Sequence, residues 1–445
     1  MHIAVLIQPQ STIGFNLMSM TDYYNPIWDA ARQALPDRMF EDEQVVIAST
    51  FECGNGYRIQ RLDNGRYAVH IEPEPGVHFF SGSGCYFCFA VLNKQEVAQT
   101  YAFEVIAADM AWISGKEADI AAWEKDHPGK VAPQSYAGSS RFAIVRRGED
   151  WSHVPDTQMV PGADHHAIAF TYELPPVSAA EPLLFFSNYH WYPYTEMTAY
   201  LKQLAEQQTP MTLKSLCKSI EGRDVWAVEL GNDAPDAPVI VYAATPQPNE
   251  MGNWACRAIL DFLLSGTSEA VLRRHRVCLV PHPNPDGTVR GTIASDALAK
   301  FVFFNGKNTI AGDPEAPAEQ VALWRYMQDK QPRLFIEWHS NHWHWRSGHT
   351  LIRYEPDLAE DPVTRRIWDA WDHRLDALPD TCNEELGLTS RTHGYMQSLG
   401  LGVATEWGGI PAMLKVHEKF PIKKTIQFTI NCFRAAIDAY EEERG

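Results

Sequence analysis

Four side chains, drawn from three separate stretches of the chain, have the types that metal-assisted hydrolysis needs: Gln247, Glu250, His339 and Glu406. Gln247 and Glu250 stand three apart in Thr245-Pro246-Gln247-Pro248-Asn249-Glu250, between an apolar run and an amphipathic segment. A catalytic zinc takes three protein ligands and leaves one position for water; an acidic residue within a turn of another donor, joined by a distant histidine, is a common supply. Glu250 and His339 qualify, and Gln247 offers its amide oxygen. Glutamine is neutral like histidine, so a Gln/Glu/His set carries the formal charge of a His/Glu/His set and still acidifies a bound water. Glu406 is then a free carboxylate suited to take the water's proton and hand it to a leaving group. The competing reading is a helix cap, because Asn249 and Glu250 suit a first turn and favour its positive end. A cap leaves His339 and Glu406 unexplained, and a metal-free relic is then the remaining alternative to a zinc site.

The elements that must position these residues are legible from apolar periodicity. Val239 to Ala244, Arg276 to Pro281, Leu334 to Trp338 and Gly402 to Thr405 read as strands, with helices near 251–264, 316–328, 364–378 and 422–443. Each strand ends in polar residues: Gln247 and Glu250, then His282 with Asn284-Pro285-Asp286-Gly287, then His339, then Glu406. Such alternation predicts an α/β domain, a mixed sheet flanked by helices with its pocket at the strand ends. His282 is a candidate to face that pocket, and a hydrogen-bonded structural histidine is the alternative. Arg290, Lys307 and Arg346 follow the relevant strands and can bind a carboxylate or a developing oxyanion; each taken singly also fits a solvated surface. His342, His344 and His349, with Trp343 and Trp345 between them, read as an aromatic rim rather than a second metal site.

Residues 45–174 have a different texture. Short alternating runs such as Tyr57 to Gln60, Tyr67 to Ile71, Tyr86 to Leu92 and Tyr101 to Ile106 are broken by Asp63-Asn64-Gly65 and Pro73-Glu74-Pro75-Gly76. They predict an antiparallel β-sandwich, with a short helix at 120–126. A chain of 445 residues, 45% hydrophobic, is expected to form two domains. We place the sandwich at 1–180, with 1–45 an unassigned extension, and the α/β domain at 181–445. Cys85 and Cys88 form the one close cysteine pair; in an aromatic strand with no second pair, core packing is the expected role. A formal charge of −18 disfavours nucleic acid. The N-terminal residues lack a basic leader, and no run approaches the roughly 20 apolar residues of a membrane span. With eight scattered cysteines, a cytoplasmic protein is the expectation.

Taken in order, Ser219-Ile220-Glu221-Gly222-Arg223, Glu250, Asn284-Pro285-Asp286-Gly287, His339-Ser340 and Thr405-Glu406 resemble the zinc metallocarboxypeptidases. The sequence looks most like their cytosolic carboxypeptidase branch. Tyr192-Pro193-Tyr194-Thr195 resembles that branch's domain-entry motif; Phe51-Glu52-Cys53-Gly54-Asn55 and Phe87-Cys88-Phe89-Ala90-Val91 look like motifs of its sandwich domain. The resemblance spans roughly residues 45–435. It implies a peptidase-type domain that removes a C-terminal residue or a branched glutamate through zinc-promoted attack of water, with Glu250 and His339 as zinc ligands and Glu406 as general base. The implied substrate is a small peptide or amino-acid conjugate, and a homo-oligomer is compatible with it. Three positions depart from the family pattern. Gln247 replaces the first ligand histidine, as in a peptidoglycan-trimming branch of the superfamily. Ala294 stands near the place of an oxyanion-steadying arginine, and Asn305-Gly306 matches an Asn-Arg pair that grips the substrate carboxylate, leaving Asn305 alone. Tyr395, after His393, falls where the family often has a mobile tyrosine. These departures keep two alternatives open, a deacylase or esterase on a non-peptide substrate and a binding protein that has lost catalysis.

Overall fold

The structure is a computed structural model, and it describes residues 36–71, 86–107, 142–161, 166–247, 250–292, 316–340, 347–354, 362–378, 390–396, 410–416 and 422–444. A pair of facing sheets makes up the N-terminal region. One is six-stranded and antiparallel throughout, and includes Val45–Ala48, Cys88–Asn93, Leu183–Ser187 and Ile144–Arg147. The other is five-stranded and antiparallel except where Tyr67–Ile71 runs parallel to Gln99–Ala107. That pair is parallel because the intervening strand, Cys88–Asn93, crosses to the opposite sheet. Alternation along the strands sends Phe89, Phe103, Phe170 and Phe186 inward, where their ring centroids lie 5.3–5.9 Å apart. The expected antiparallel sandwich is therefore present. Its last strand, Leu183–Ser187, lies beyond residue 180, so the change from one sheet system to the next falls after Ser187.

The C-terminal region begins with helix α1 (Tyr194–Glu206) and is built on one eight-stranded sheet. Its strands are β1 (Thr212–Lys218), β2 (Asp224–Gly231), β3 (Val239–Ala244), β4 (Arg276–Val280), β5 (Leu334–Ser340), β6 (Ser347–Tyr354), β7 (Ser390–Met396) and β8 (Ile410–Val416). The spatial order is β1-β2-β4-β3-β5-β8-β6-β7. β4, β3, β5 and β8 are mutually parallel, the β1–β2, β2–β4 and β6–β8 pairs are antiparallel, and β6–β7 at the far edge is parallel, so the sheet is mixed. The central strand β3 is apolar throughout, and β5 is buried along its whole length with Glu337, His339 and Ser340 among its residues, because helices cover both faces. Those helices are α2 (Gly252–Leu264), α3 (Glu269–Arg274), α4 (Pro285–Arg290), α5 (Ala318–Lys330), α6 (Pro362–Asp376) and α7 (Ile422–Arg444). β3 has the predicted bounds, β4 and β5 match within two residues, and α2, α5, α6 and α7 stand at the four predicted places. The fourth predicted strand, 402–405, and the helix at 120–126 lie outside the described residues; β8 is the strand beside β5.

The sandwich and the α/β region meet through sequence motifs. Glu52 accepts from the Thr195 backbone N–H at 3.1 Å, so a sandwich carboxylate serves the first turn of α1. Tyr189 donates from its hydroxyl to the Cys53 carbonyl at 2.8 Å. Arg146 lies against the rings of Trp151 and Trp191, its guanidinium carbon 5.5 and 4.5 Å from their centroids, and reaches Glu196 of α1 at 3.6 Å.

Candidate metal centre

The parallel strands β3, β4 and β5 deliver their C-terminal ends side by side, where the polar residues were expected to gather. α2 must start immediately beyond β3, and Gly252 makes that possible. A Cβ there would stand 2.8 Å from the Ala244 Cα and 3.0 Å from the Trp338 carbonyl oxygen. The close approach fixes Glu250 and Met251 over the end of β5. Met251 donates its backbone N–H to Ser340 Oγ at 2.8 Å, and Ser340 N–H donates to Glu250 Oε2 at 2.6 Å. α2 has Met251 at its N-cap position and no side-chain cap. The Glu250 carboxylate thus points to β5, not back to its own helix, which removes the helix-cap reading of Glu250.

His339 and Glu250 are brought together. His339 Nδ1 lies 2.9 Å from Glu250 Oε2, and both side chains are buried. On the other side of the ring, His339 Nε2 lies 2.8 Å from Glu337 Oε1, also buried. Sequence reasoning missed Glu337, hidden in the apolar run of β5. The available signal was its position two before His339, which puts both on one face of a strand. Burial opposes a charge on His339, but the Glu250 and Glu337 carboxylates outweigh it and raise the imidazole above its ordinary range.

Gln247 occupies the turn between β3 and α2. Its carbonyl accepts from Glu250 N–H at 3.1 Å, its own N–H donates to Thr245 Oγ1 at 3.3 Å, and it is buried. Asn284 reaches this turn from β4's end, donating from Nδ2 to the Pro246 carbonyl at 3.2 Å. Asn284-Pro285-Asp286-Gly287 opens α4. Asn284 Oδ1 caps the helix by accepting from Gly287 N–H at 2.9 Å, Pro285 fills a position that needs no N–H, and Gly287 leaves room for the capping amide. Asp286 faces the opposite way and is fully buried. It accepts from Ser219 Oγ at 2.6 Å, from Glu221 N–H at 3.0 Å and from Arg223 at 2.7 Å.

The remaining candidates have different surroundings. His282 is buried at the end of β4, its Nδ1 3.3 Å from Thr288 Oγ1 and its ring beside those of Tyr192 and Tyr194. Burial lowers it to about 3, so it is a neutral histidine. Arg290, at the end of α4, is ion-paired with Glu221, which also holds Arg223. Glu406, Asn305, Lys307, Arg346, Ala294, Gly306, His342 and His344 lie outside the described residues, as does Cys85. Tyr395 and His393 fall in β7 and His349 in β6, with no side chain described. Cys88 is buried in the sandwich.

The spacing of the donors fits zinc. Two atoms bound at about 2.0–2.2 Å to one tetrahedral zinc are separated by about 3.3–3.5 Å, so the Nδ1–Oε2 pair needs to open by only about half an ångström. Among the described residues no three His, Cys, Asp or Glu side chains are grouped to hold a metal. Gln247 is the residue on the adjoining turn, buried between β3 and α2.

The sequence profile of the family described as zinc carboxypeptidase matches residues 197–297. The chain is 24% identical over 329 residues to cytosolic carboxypeptidase 2 of Macaca fascicularis, covering 70% of this chain and 36% of that one. It is 30% identical over 170 residues to cytosolic carboxypeptidase 2 of Mus musculus, covering 35% of this chain and 20% of that one. The chain thus spans about a third or less of the length of these curated relatives. Among solved structures, a metallo-carboxypeptidase from Burkholderia cenocepacia superposes with a TM-score of 0.67 at 16% identity, covering 90% of this chain and all of the other. One from Pseudomonas aeruginosa gives 0.64 at 17% identity, covering 89% and 99%. The resemblance to the zinc metallocarboxypeptidases and their cytosolic branch holds in sequence, and the fold is theirs.

Proposed function

From a chain with a zinc carboxypeptidase signature and a metallocarboxypeptidase fold, we infer a zinc-dependent hydrolase that cleaves an amide bond in a peptide or amino-acid conjugate. The observation that carries this reading is the convergence of Glu250 and His339 at 2.9 Å on the ends of parallel strands, beside the Gln247 turn. Gln247, Glu250 and His339 would hold the ion, which when bound would supply an acidified water and polarise the scissile carbonyl. Glu250 is kept in place by Ser340 N–H, and His339 by Glu337. Glu406 takes the proton of the attacking water and returns it to the leaving nitrogen. Asn305, Lys307 and Arg346 are the candidates for gripping the substrate carboxylate, and Tyr395 is a further candidate to contact substrate. Arg290 is a weaker candidate, since Glu221 already engages it, and so is His282, a buried ring beside Tyr192 and Tyr194. The relatives whose sequences match are named cytosolic. Their names support a cytoplasmic peptide hydrolase.

The test is to purify the protein without chelator, measure zinc content, and assay release of C-terminal residues from a peptide library by mass spectrometry. One zinc per chain with release that Glu406→Gln abolishes is expected. Protein that neither carries nor takes up zinc would end the hydrolase reading. A deacylase or esterase acting on non-peptide substrates is the second reading, favoured by the absence of arginine at Ala294 and Gly306. Cleavage of acyl esters with no action on peptides would select it.

A further inference from the structure

The turn that carries Gln247 is poorly equipped to hold itself. Pro246 and Pro248 have no backbone N–H to donate. Within the turn, Gln247 N–H reaches Thr245 Oγ1 and Glu250 N–H reaches the Gln247 carbonyl. From outside, Thr245 N–H donates to the Trp338 carbonyl at 3.0 Å on the β5 side, and on the β4 side Asn284, 1% exposed, donates from Nδ2 to the Pro246 carbonyl at 3.2 Å. The orientation of this amide is fixed by its other end. Gly287 N–H can only donate, so the atom 2.9 Å away is the acceptor Oδ1, and the donor faces Pro246. One side chain therefore caps α4 and clamps the turn between β3 and α2.

α4 is in turn seated on the sandwich. Cys53 N–H donates to the Val289 carbonyl at 3.3 Å, and Asn55 Nδ2 to the Gly291 carbonyl at 3.2 Å. Gly291 closes α4 in the left-handed region at φ 67°, and a Cβ there would stand 2.5 Å from the Gly54 carbonyl oxygen. Sandwich loop 51–55, α4, Asn284 and the Pro246–Gln247 peptide form one continuous line of contacts.

We propose that Asn284 is a positioning residue for the metal centre, holding the Gln247 turn in register with His339 and Glu250 from a helix seated on the sandwich domain. The proposal rests on the zinc reading for the role of Gln247. A glutamine has one more rotatable bond than a histidine, so its amide oxygen settles on one position only if its backbone is fixed.

The experiment uses the full chain with Asn284→Ser and Asn284→Ala. Serine keeps the helix cap but is too short to reach Pro246, whereas alanine loses both contacts. Asn284→Asp keeps the cap at full reach without a donor and stands in where the serine variant fails to fold. Amide hydrogen exchange in metal-free protein and zinc affinity by chelator competition are the readouts. In the serine variant the Gln247 and Glu250 amides are expected to exchange about three- to tenfold faster, the loss of one hydrogen bond, while the α4 amides stay as in wild type. Zinc affinity is expected to fall about 10- to 100-fold. Unchanged exchange in the turn, or faster exchange with unchanged zinc affinity, overturns the proposal. Wild-type protein that takes up no zinc sinks the hydrolase reading instead, and the exchange comparison then decides alone whether Asn284 holds the turn.

Discussion

Asp286 and Glu250 are carboxylates buried to 0 and 2% exposure just beyond neighbouring strands, and their surroundings answer them differently. Asp286 meets a hydroxyl, a backbone N–H and the permanent cation Arg223, all of which tie residues 219–223 to α4. Glu250 meets a backbone N–H and His339, an imidazole that it shares with Glu337. A guanidinium cannot lose its proton in a protein, so the Asp286 cluster has one state and serves the fold. An imidazole between two carboxylates can exchange its proton for a metal ion, so the Glu250 cluster can change its occupant. On the proposed zinc reading, equal burial goes with different roles, and the chemistry of the cation partner tells them apart.

Substitutions should separate the two clusters. The largest effect is expected from His339→Ala, which removes a donor: zinc affinity by chelator competition should fall more than about a hundredfold, beyond what loss of an outer hydrogen bond gives, and hydrolysis should disappear. Asp286→Ala should do the reverse. It leaves Arg223 with Glu221 alone and removes the acceptor of Ser219 Oγ and Glu221 N–H, which should cost about 1–3 kcal/mol in urea unfolding, while the folded fraction keeps most of its zinc affinity. If Asp286→Ala instead abolished zinc binding with little change in stability, the division of labour between the clusters would be wrong. Glu337→Gln weakens the contact to His339 Nε2 and should lower zinc affinity about 10- to 100-fold, with little change in the unfolding midpoint of metal-free protein.

A separate effect is a slope in pH. Burial lowers both His190 and His282 to about 3, so the folded protein refuses protons that the unfolded chain accepts near 6.5. Their contribution is fully present above about pH 6.5 and is lost as pH falls toward about 3, at about 1.4 kcal/mol per pH unit for each histidine. Urea midpoints between pH 7 and 5 check this, and His190→Gln should flatten the slope by about half of the histidine share.

Most of the architecture could be read from the chain because it rests on local patterns. The six apolar residues of β3 and the heptad-like spacing of α2 leave few alternatives, and the strand ends follow from them. The contact between Glu250 and His339 was legible only as two donor types at matching strand ends; their 2.9 Å approach depends on Gly252 letting α2 close onto β3 and β5. Asn284-Pro285-Asp286-Gly287 was visible as a motif, but its three separate tasks were not. Capping, clamping Pro246 and pinning Ser219 depend on partners 3, 38 and 67 residues away, and spacing within the motif cannot report them. Arg290 looked like a free cation because Glu221, 69 residues away, gives no local sign of pairing with it.

The central claim is that an amide oxygen from Gln247 completes a zinc site with Glu250 and His339. Anomalous diffraction at the zinc edge from crystals grown with zinc tests it most directly. The expected result is a single strong peak bonded to Gln247 Oε1, Glu250 and His339 Nδ1. A peak elsewhere, or none between these side chains, would contradict it.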